Sequence, residues 1–325
     1  MRLIALLTLL LAAALALSVA FGETGLSLAQ YGAALTDPSS APAEILFGIR
    51  APRAACAALV GAALGLAGAV MQGLLRNPLA EPGVLGVSAW SGCAAALAIA
   101  FGLGAVPGAL ETAALVGALG AGAMVAVLAA RFREPETLIL FGVALAALGG
   151  AMTALVFNLS PSPVTTAEIL SWLQGSVADR DWSELAAALI PMAAGTALCL
   201  YASRGLRMLT LGEEAAALSG LPMARLRVAA IAGAALLTGA SVALAGVIGF
   251  VGLAAPHLVR GAASDDPART LVPSAIAGAI LLTLADLLAR VIPSEEELRL
   301  GVVTALFGAP LFALIAWRAA RSWRA

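Results

Sequence analysis

This chain of 325 residues is 62% hydrophobic and 11% charged, with a net charge of −1 and a mean hydropathy of +1.00; it is too apolar for a globule with a wetted surface and belongs in a bilayer. Every one of its 18 basic side chains is Arg, so it can build neither a P-loop nucleotide site nor a Schiff base, both of which need Lys. The near-neutral charge gives no reason for nucleic-acid binding, and Cys56, Cys93 and Cys199, in apolar stretches without CxxC spacing, read as small packing residues.

A spanning helix takes about 20 mostly apolar residues, and on that measure ten segments are predicted. The first, 3–21, also has the shape of a secretory signal, with Arg2 ahead of it and small residues at Ser18 and Ala20; it is expected to be retained as a span. The second, 51–74, opens beside Arg50 and Arg53, carries the pair Gly61 and Gly65, and ends near Gln72. In lipid, such small residues let backbones approach closely. Next comes the polar run RNPLAEPGVLGV at 76–87, in which Arg76, Asn77, Pro78, Pro82, Gly83 and Gly86 stand between two apolar stretches. A loop of that composition is expected to be pinned against protein.

Segments 84–103, 110–130, 137–157 and 185–201 follow. The stretch LTLGEEAAALSGLPMARLR at 209–227 is too polar to span and is predicted as two short helices on the inner face within 211–226. Leu211 and Gly212 lead in, Glu213 and Glu214 suit a first turn, Gly220 a C′ stop, and Pro222 the N1 position of the next helix. After 228–247, segment 249–259 is too short to cross and is predicted as a half-span covered by protein. It holds Pro256, the lone His257 and, just beyond it, Arg260. A single His excludes a metal site of several imidazoles, and neither a metal site nor a catalytic residue is expected. Span 271–291 carries Asp286 four residues before Arg290, an orientation that favours an intrahelical ion pair; an intramembrane carboxylate is also a functional candidate. The last span, 301–317, contains Gly308 and Pro310.

With ten spans and both termini inside, the inner side holds Arg2, Arg76, Arg131, Arg133, Arg204, Arg207, Arg225, Arg227, Arg260, Arg269, Arg318, Arg321 and Arg324. The outer side holds only Arg50, Arg53, Arg180, Arg290 and Arg299, the asymmetry that the positive-inside rule demands.

In order along the chain, APRAACAALVGAALGLAGAVMQGLLRNPLA, EPGVLGV, SWLQGSV, LTLGEEAAALSG, GFVGLAAPHLVR, LADLLAR and GVVTALFGAP resemble the permease subunits of type II ATP-binding-cassette importers, the FecCD-like family that serves iron siderophores, haem and vitamin B12. The resemblance covers essentially the whole chain; Arg299 departs from it, standing where the family more often has Pro. It implies an all-α, ten-helix transmembrane bundle forming one domain over 1–325, in a bacterial inner membrane. It implies a homodimer with a translocation path on its two-fold axis, two separate cytoplasmic ATPase subunits beneath and an extracytoplasmic binding protein above. No cofactor is then expected on this chain, ATP and Mg belonging to the ATPase. Leu211, Gly212, Glu213, Glu214 and Gly220 take the place of the family's ATPase-coupling segment, and Arg50, Arg53 and Arg290 that of its docking arginines; they read equally as helix-end charges and, for Arg290, as a partner for Asp286. The resemblance ranks a ferric siderophore first, then haem, with cobalamin close behind. The rival from another class is an ion-coupled secondary transporter, which needs coupling carboxylates at membrane depth; Asp286 is almost the only candidate.

Overall fold

The computed structural model describes residues 2–22, 24–132, 134–263, 266–292 and 297–322. Arg133 and Arg324, both expected on the inner side, lie outside the described residues. In chain order the helices are α1 (Arg2–Ala20), α2 (Leu28–Thr36), α3 (Ala41–Leu75), α4 (Val87–Ala100), α5 (Ala109–Arg131), α6 (Pro135–Asn158) and α7 (Pro163–Leu173). They continue as α8 (Trp182–Leu209), α9 (Glu213–Leu218), α10 (Met223–Ala245), α11 (Val251–Ala263), α12 (Pro267–Val291) and α13 (Leu300–Ser322). Each of the ten predicted apolar segments coincides with one of these helices. Seven of them are long and apolar enough to cross a bilayer by themselves, among the described residues; α4 is a shorter apolar helix, and α11, at 13 residues, is the expected half-span.

The centre of the bundle is α3 with α10: 78% of each apolar window is buried, against 11% for α1 and 22% for α6, which lie at the periphery. Small residues decide this arrangement. A methyl group on Gly61 would fall inside the carbonyl oxygen of Gly278 on α12, and one on Gly278 would meet that of Gly61 in return, so the two helices touch backbone to backbone. Dispersion at that distance, rather than exclusion of water, holds helices together in lipid.

Local chemistry accounts for the irregular pieces. Pro52 has no N–H to give, and its ring would collide with the carbonyl four residues back; α3 absorbs it by winding as a π-helix over Glu44–Arg50, with the Ala51 N–H bonded to the Leu46 carbonyl. Helices α2 and α7 are absent from the ten-segment reading because neither is long or apolar enough to span, yet both announce themselves by their caps. Ser27 and Gln30 form a reciprocal capping box, and Ser162 caps a helix with Pro163 in its first turn.

The inner segment 211–226 needs a correction. It contains one short helix, α9, and the second predicted helix is the first turn of α10, which runs on without a break into the following span. Pro222 is the residue before that helix, at its N-cap with ψ 83, rather than N1. The predicted stop is where it was expected: Gly220 has φ 84, its N–H bonds the Ala217 carbonyl at 3.0 Å and the Leu221 N–H bonds the Ala216 carbonyl at 3.3 Å, the paired closure of a Schellman motif.

Candidate functional site

The predicted residues gather into three groups. In the first, the polar run 76–87 is folded against the half-span α11. Arg76 ends α3 in the left-handed region, φ 50, and turns the chain. The Asn77 side chain accepts the Leu79 N–H at 2.9 Å, closing the turn that leaves the Pro78 carbonyl facing α11, where it lies 3.1 Å from His257 Nε2. Pro82 and Gly83 form a single 3-10 turn, and Gly86, φ 79, leads it into α4. From α3 the buried Gln72 Nε2 donates to the Leu253 carbonyl at 3.4 Å, while its Oε1 accepts from Arg260 Nη2 at 2.6 Å. The half-span is therefore stitched to α3 by Gln72 and to the signature loop by His257. Pro256 lies within α11, and on α13 Gly308 leaves room for Phe250, whose Cβ a methyl there would strike.

Glu81, in the same loop, was not singled out by the sequence reading. Its carboxyl is enclosed beside the N-terminus of α11, and burial pushes it up to about 7 while the Leu253 backbone N–H, favouring the charged form, works the other way. An acid raised from 4.5 to about 7 holds its proton longer when folded, so its contribution to stability is complete below pH 4.5 and is lost as pH rises toward 7. Glu81→Gln is expected to flatten this decline, measured as melting temperature between pH 4.5 and about 8 in detergent. Equal slopes for the two chains would show that the carboxyl is solvated.

The second group is Arg50, Arg53 and Arg290, and none of the three presents a free guanidinium. Arg53 donates to Asp286 Oδ1 from Nη2 at 2.8 Å and from Nε at 3.0 Å, and to Glu297 from Nη2 and from Nη1, the latter reaching Oε2 at 3.1 Å. Arg290 pairs with Asp286 at 3.1 Å, the intrahelical pair read from their spacing, and Nη2 also donates to Ser18 Oγ at 2.6 Å. Arg50, 5% exposed, donates to the carbonyls of Val19, Ala20 and Thr24, with 2.8 Å to Ala20. Together Arg50 and Arg290 satisfy carbonyls that end α1, and a cation at a helix C-terminus is favoured by the dipole as well. Ser18, Glu297 and the link from Arg53 to Asp286 carried no sequence signal, because they come from segments 233 residues or more apart.

The third group lies at the end of the bundle expected to face inward. Leu218 on α9 and Leu211 in the turn that precedes it face outward, 90% and 77% exposed, with Glu214 exposed on α9. Gly212, φ 98, opens the helix. Ala216 is buried beneath it, and Glu213, partly buried, is held by Arg227. Finally, a groove of about 640 Å³ runs between α13 and the loop that precedes α11, lined by Gln174, Val247, Phe250, Val302, Leu306 and Pro310 among others, with no charged side chain in its wall.

The model of the FecCD transport family matches residues 9–318. The uncharacterized ABC transporter permease protein YvrB of Bacillus subtilis is 40% identical over 287 residues, 86% of this chain and 81% of its own. The vitamin B12 import system permease protein BtuC of Escherichia coli O157:H7 is 41% identical over 276 residues, 84% of this chain and 83% of its own. A solved chain, described as an inward-facing conformation of a metal-chelate type ABC transporter, superposes with a TM-score of 0.85 at 32% identity, covering 97% of this chain and 98% of that one.

Proposed function

The chain belongs to the FecCD transport family, a multi-pass membrane permease of the ABC importer type, and from that premise we propose that it is the translocating subunit of an ATP-driven importer for large metal chelates. Two copies would line a path on their common axis. Two separate ATPase subunits would dock beneath and hydrolyse ATP, this chain holding no nucleotide and no cofactor of its own. An extracytoplasmic binding protein would deliver the chelate, with the assembly in the bacterial inner membrane and both termini of this chain inside.

The observation that carries the proposal is the segment 211–218: the short helix α9 and the turn before it, presenting Leu218 and Leu211 to the outside. Large exposed apolar side chains at the base of a membrane protein, rimmed by a carboxylate, mark a protein-docking surface. Leu218→Asp, in a helix whose anchors Ala216 and Glu213 are untouched, is therefore expected to cost the complex its ATPase while the permease stays folded. Copurification from detergent measures this, and full retention of the ATPase would remove α9 from the interface.

The uncharged groove supports the chelate class, since a wide and inert wall can pass ligands of varied chemistry while a delivery protein selects among them. The family resemblance ranks a ferric siderophore first; the BtuC relatives, permease proteins of vitamin B12 import systems, support cobalamin as the first chelate to assay. Vesicles containing the permease, its ATPase and its binding protein are expected to accumulate cyanocobalamin only when ATP is enclosed. Uptake of a ferric siderophore or haem in its place moves the assignment within the class. Uptake driven by an ion gradient without the ATPase would establish the secondary-transporter reading instead.

The outer arginines enter this proposal with a condition. If acidic groups of the binding protein pair with Arg50, Arg53 or Arg290, they must compete with Asp286, Glu297 and the α1 carbonyls that hold those guanidiniums here.

A further inference from the structure

Six residues cannot hold themselves helical, so a force that reaches α9 passes onward through the chain on either side of it and through its contacts with the spans. One contact is apolar, the burial of Ala216. Another is a single guanidinium. Arg227, 5% exposed at the base of α10, donates from Nη2 to both oxygens of Glu213, at 2.9 and 2.8 Å. From Nη1 it donates to the carbonyls of Ala129 and Phe132 at the C-terminal end of α5, at 3.1 and 2.8 Å. Those carbonyls have no partner within their own helix and carry the negative end of its dipole. The planar fork of Arg reaches both the carboxylate and the carbonyls at once; Lys, a point charge on a flexible stem, cannot.

We propose that Arg227 is a positioning residue for coupling: it makes α9, the base of α10 and the inner end of α5 move as one body, so that ATPase closure felt at 211–218 reaches two spans directly. The proposal rests on the reading of α9 as the docking element. Glu213 then acts inward, through Arg227, and the outward contacts belong to Leu211, Glu214 and Leu218.

The test uses the permease assembled with its ATPase in lipid nanodiscs, spin-labelled at Ala217→Cys on α9 and Ala130→Cys on α5. Both positions are exposed while the three native Cys are buried, so label goes where it is wanted. Pulsed dipolar distances are compared without nucleotide and with ATP trapped by vanadate. The parent chain is expected to give one narrow distance that is the same in both states. In Glu213→Ala that distance is expected to broaden and to shift on nucleotide trapping, because the ATPase then moves α9 alone; Glu213→Gln, which keeps an acceptor for Nη2, falls between and serves the same comparison if the Ala variant does not fold. A purely structural pair would change stability without making the distance depend on nucleotide. A narrow, nucleotide-independent distance in the Glu213 variants overturns the proposal. Failure of the underlying reading shows separately, as a Leu218→Asp permease that still copurifies with its ATPase.

Discussion

Asp286→Asn is expected to lower the stability of the chain by about 3–5 kcal/mol, the usual cost of removing one partner from a buried ion pair. The carboxylate is 1% exposed and faces two guanidiniums, Arg53 at 2.8 Å and Arg290 at 3.1 Å. Asn can accept one hydrogen bond but brings no charge. Arg53 would keep its bonds to Glu297, whereas the hydrogen bonds of Arg290 among the described residues would be to the neutral oxygens of Ser18 and Phe21. The damage should therefore appear at α1, which Arg290 helps to hold, and protease access to the segment after Ala20 is expected to rise with the loss of stability. Denaturant unfolding in detergent measures the first effect and limited proteolysis the second. A change below about 1 kcal/mol, the range of solvated pairs, would mean that water reaches the cluster. Ala at Arg50, Arg53 and Arg290 together is expected to unfold the outer end for the same reason, so a lost binding-protein interaction in that variant is no proof of docking.

Gly278→Leu is the second large effect. Its side chain would have to occupy the position of the Gly61 carbonyl, and neither helix can retreat without opening the α3–α12 seam along its length. Overpacking a core typically costs about 1–3 kcal/mol when the neighbour is a side chain that can turn aside; backbone cannot, and the expected result is loss of the folded permease from detergent extracts. Gly278→Ala should be graded between the two chains. Combining Gly61→Ala with Gly278→Ala is expected to cost less than the sum of the single changes, because one contact is being broken twice. A Leu variant of unaltered melting temperature would show the seam to be looser than the backbone contact implies.

Much of this was written in the pattern of residue types. Ten apolar segments and their polar separators give a helical bundle, because in a hydrocarbon solvent each span must satisfy its own backbone hydrogen bonds and so can be recognised alone. Capping chemistry is equally local: Ser27 with Gln30, and Gly220 after α9, act within a few residues of themselves. The pair of Asp286 and Arg290 is one helical turn apart and was legible for that reason.

What the sequence could not show is which distant groups meet. Arg50, Arg53 and Arg290 look alike as outer helix-end charges, yet each is drawn inward by partners tens to hundreds of residues away: Ala20, Asp286, Ser18. Glu213 and Glu214 are neighbours of the same type at the same turn, and only tertiary contact with Arg227 makes one an internal tether and leaves the other facing out. The second inner helix was misread because a helix start looks the same whether it stops after a turn or runs on into a span. Single-residue chemistry determined where the chain crosses and turns; the packing of α3 on α12, and of the signature loop on α11, decided which polar groups would be buried and therefore had to find each other, since an unpaired charge away from water is too costly to leave alone.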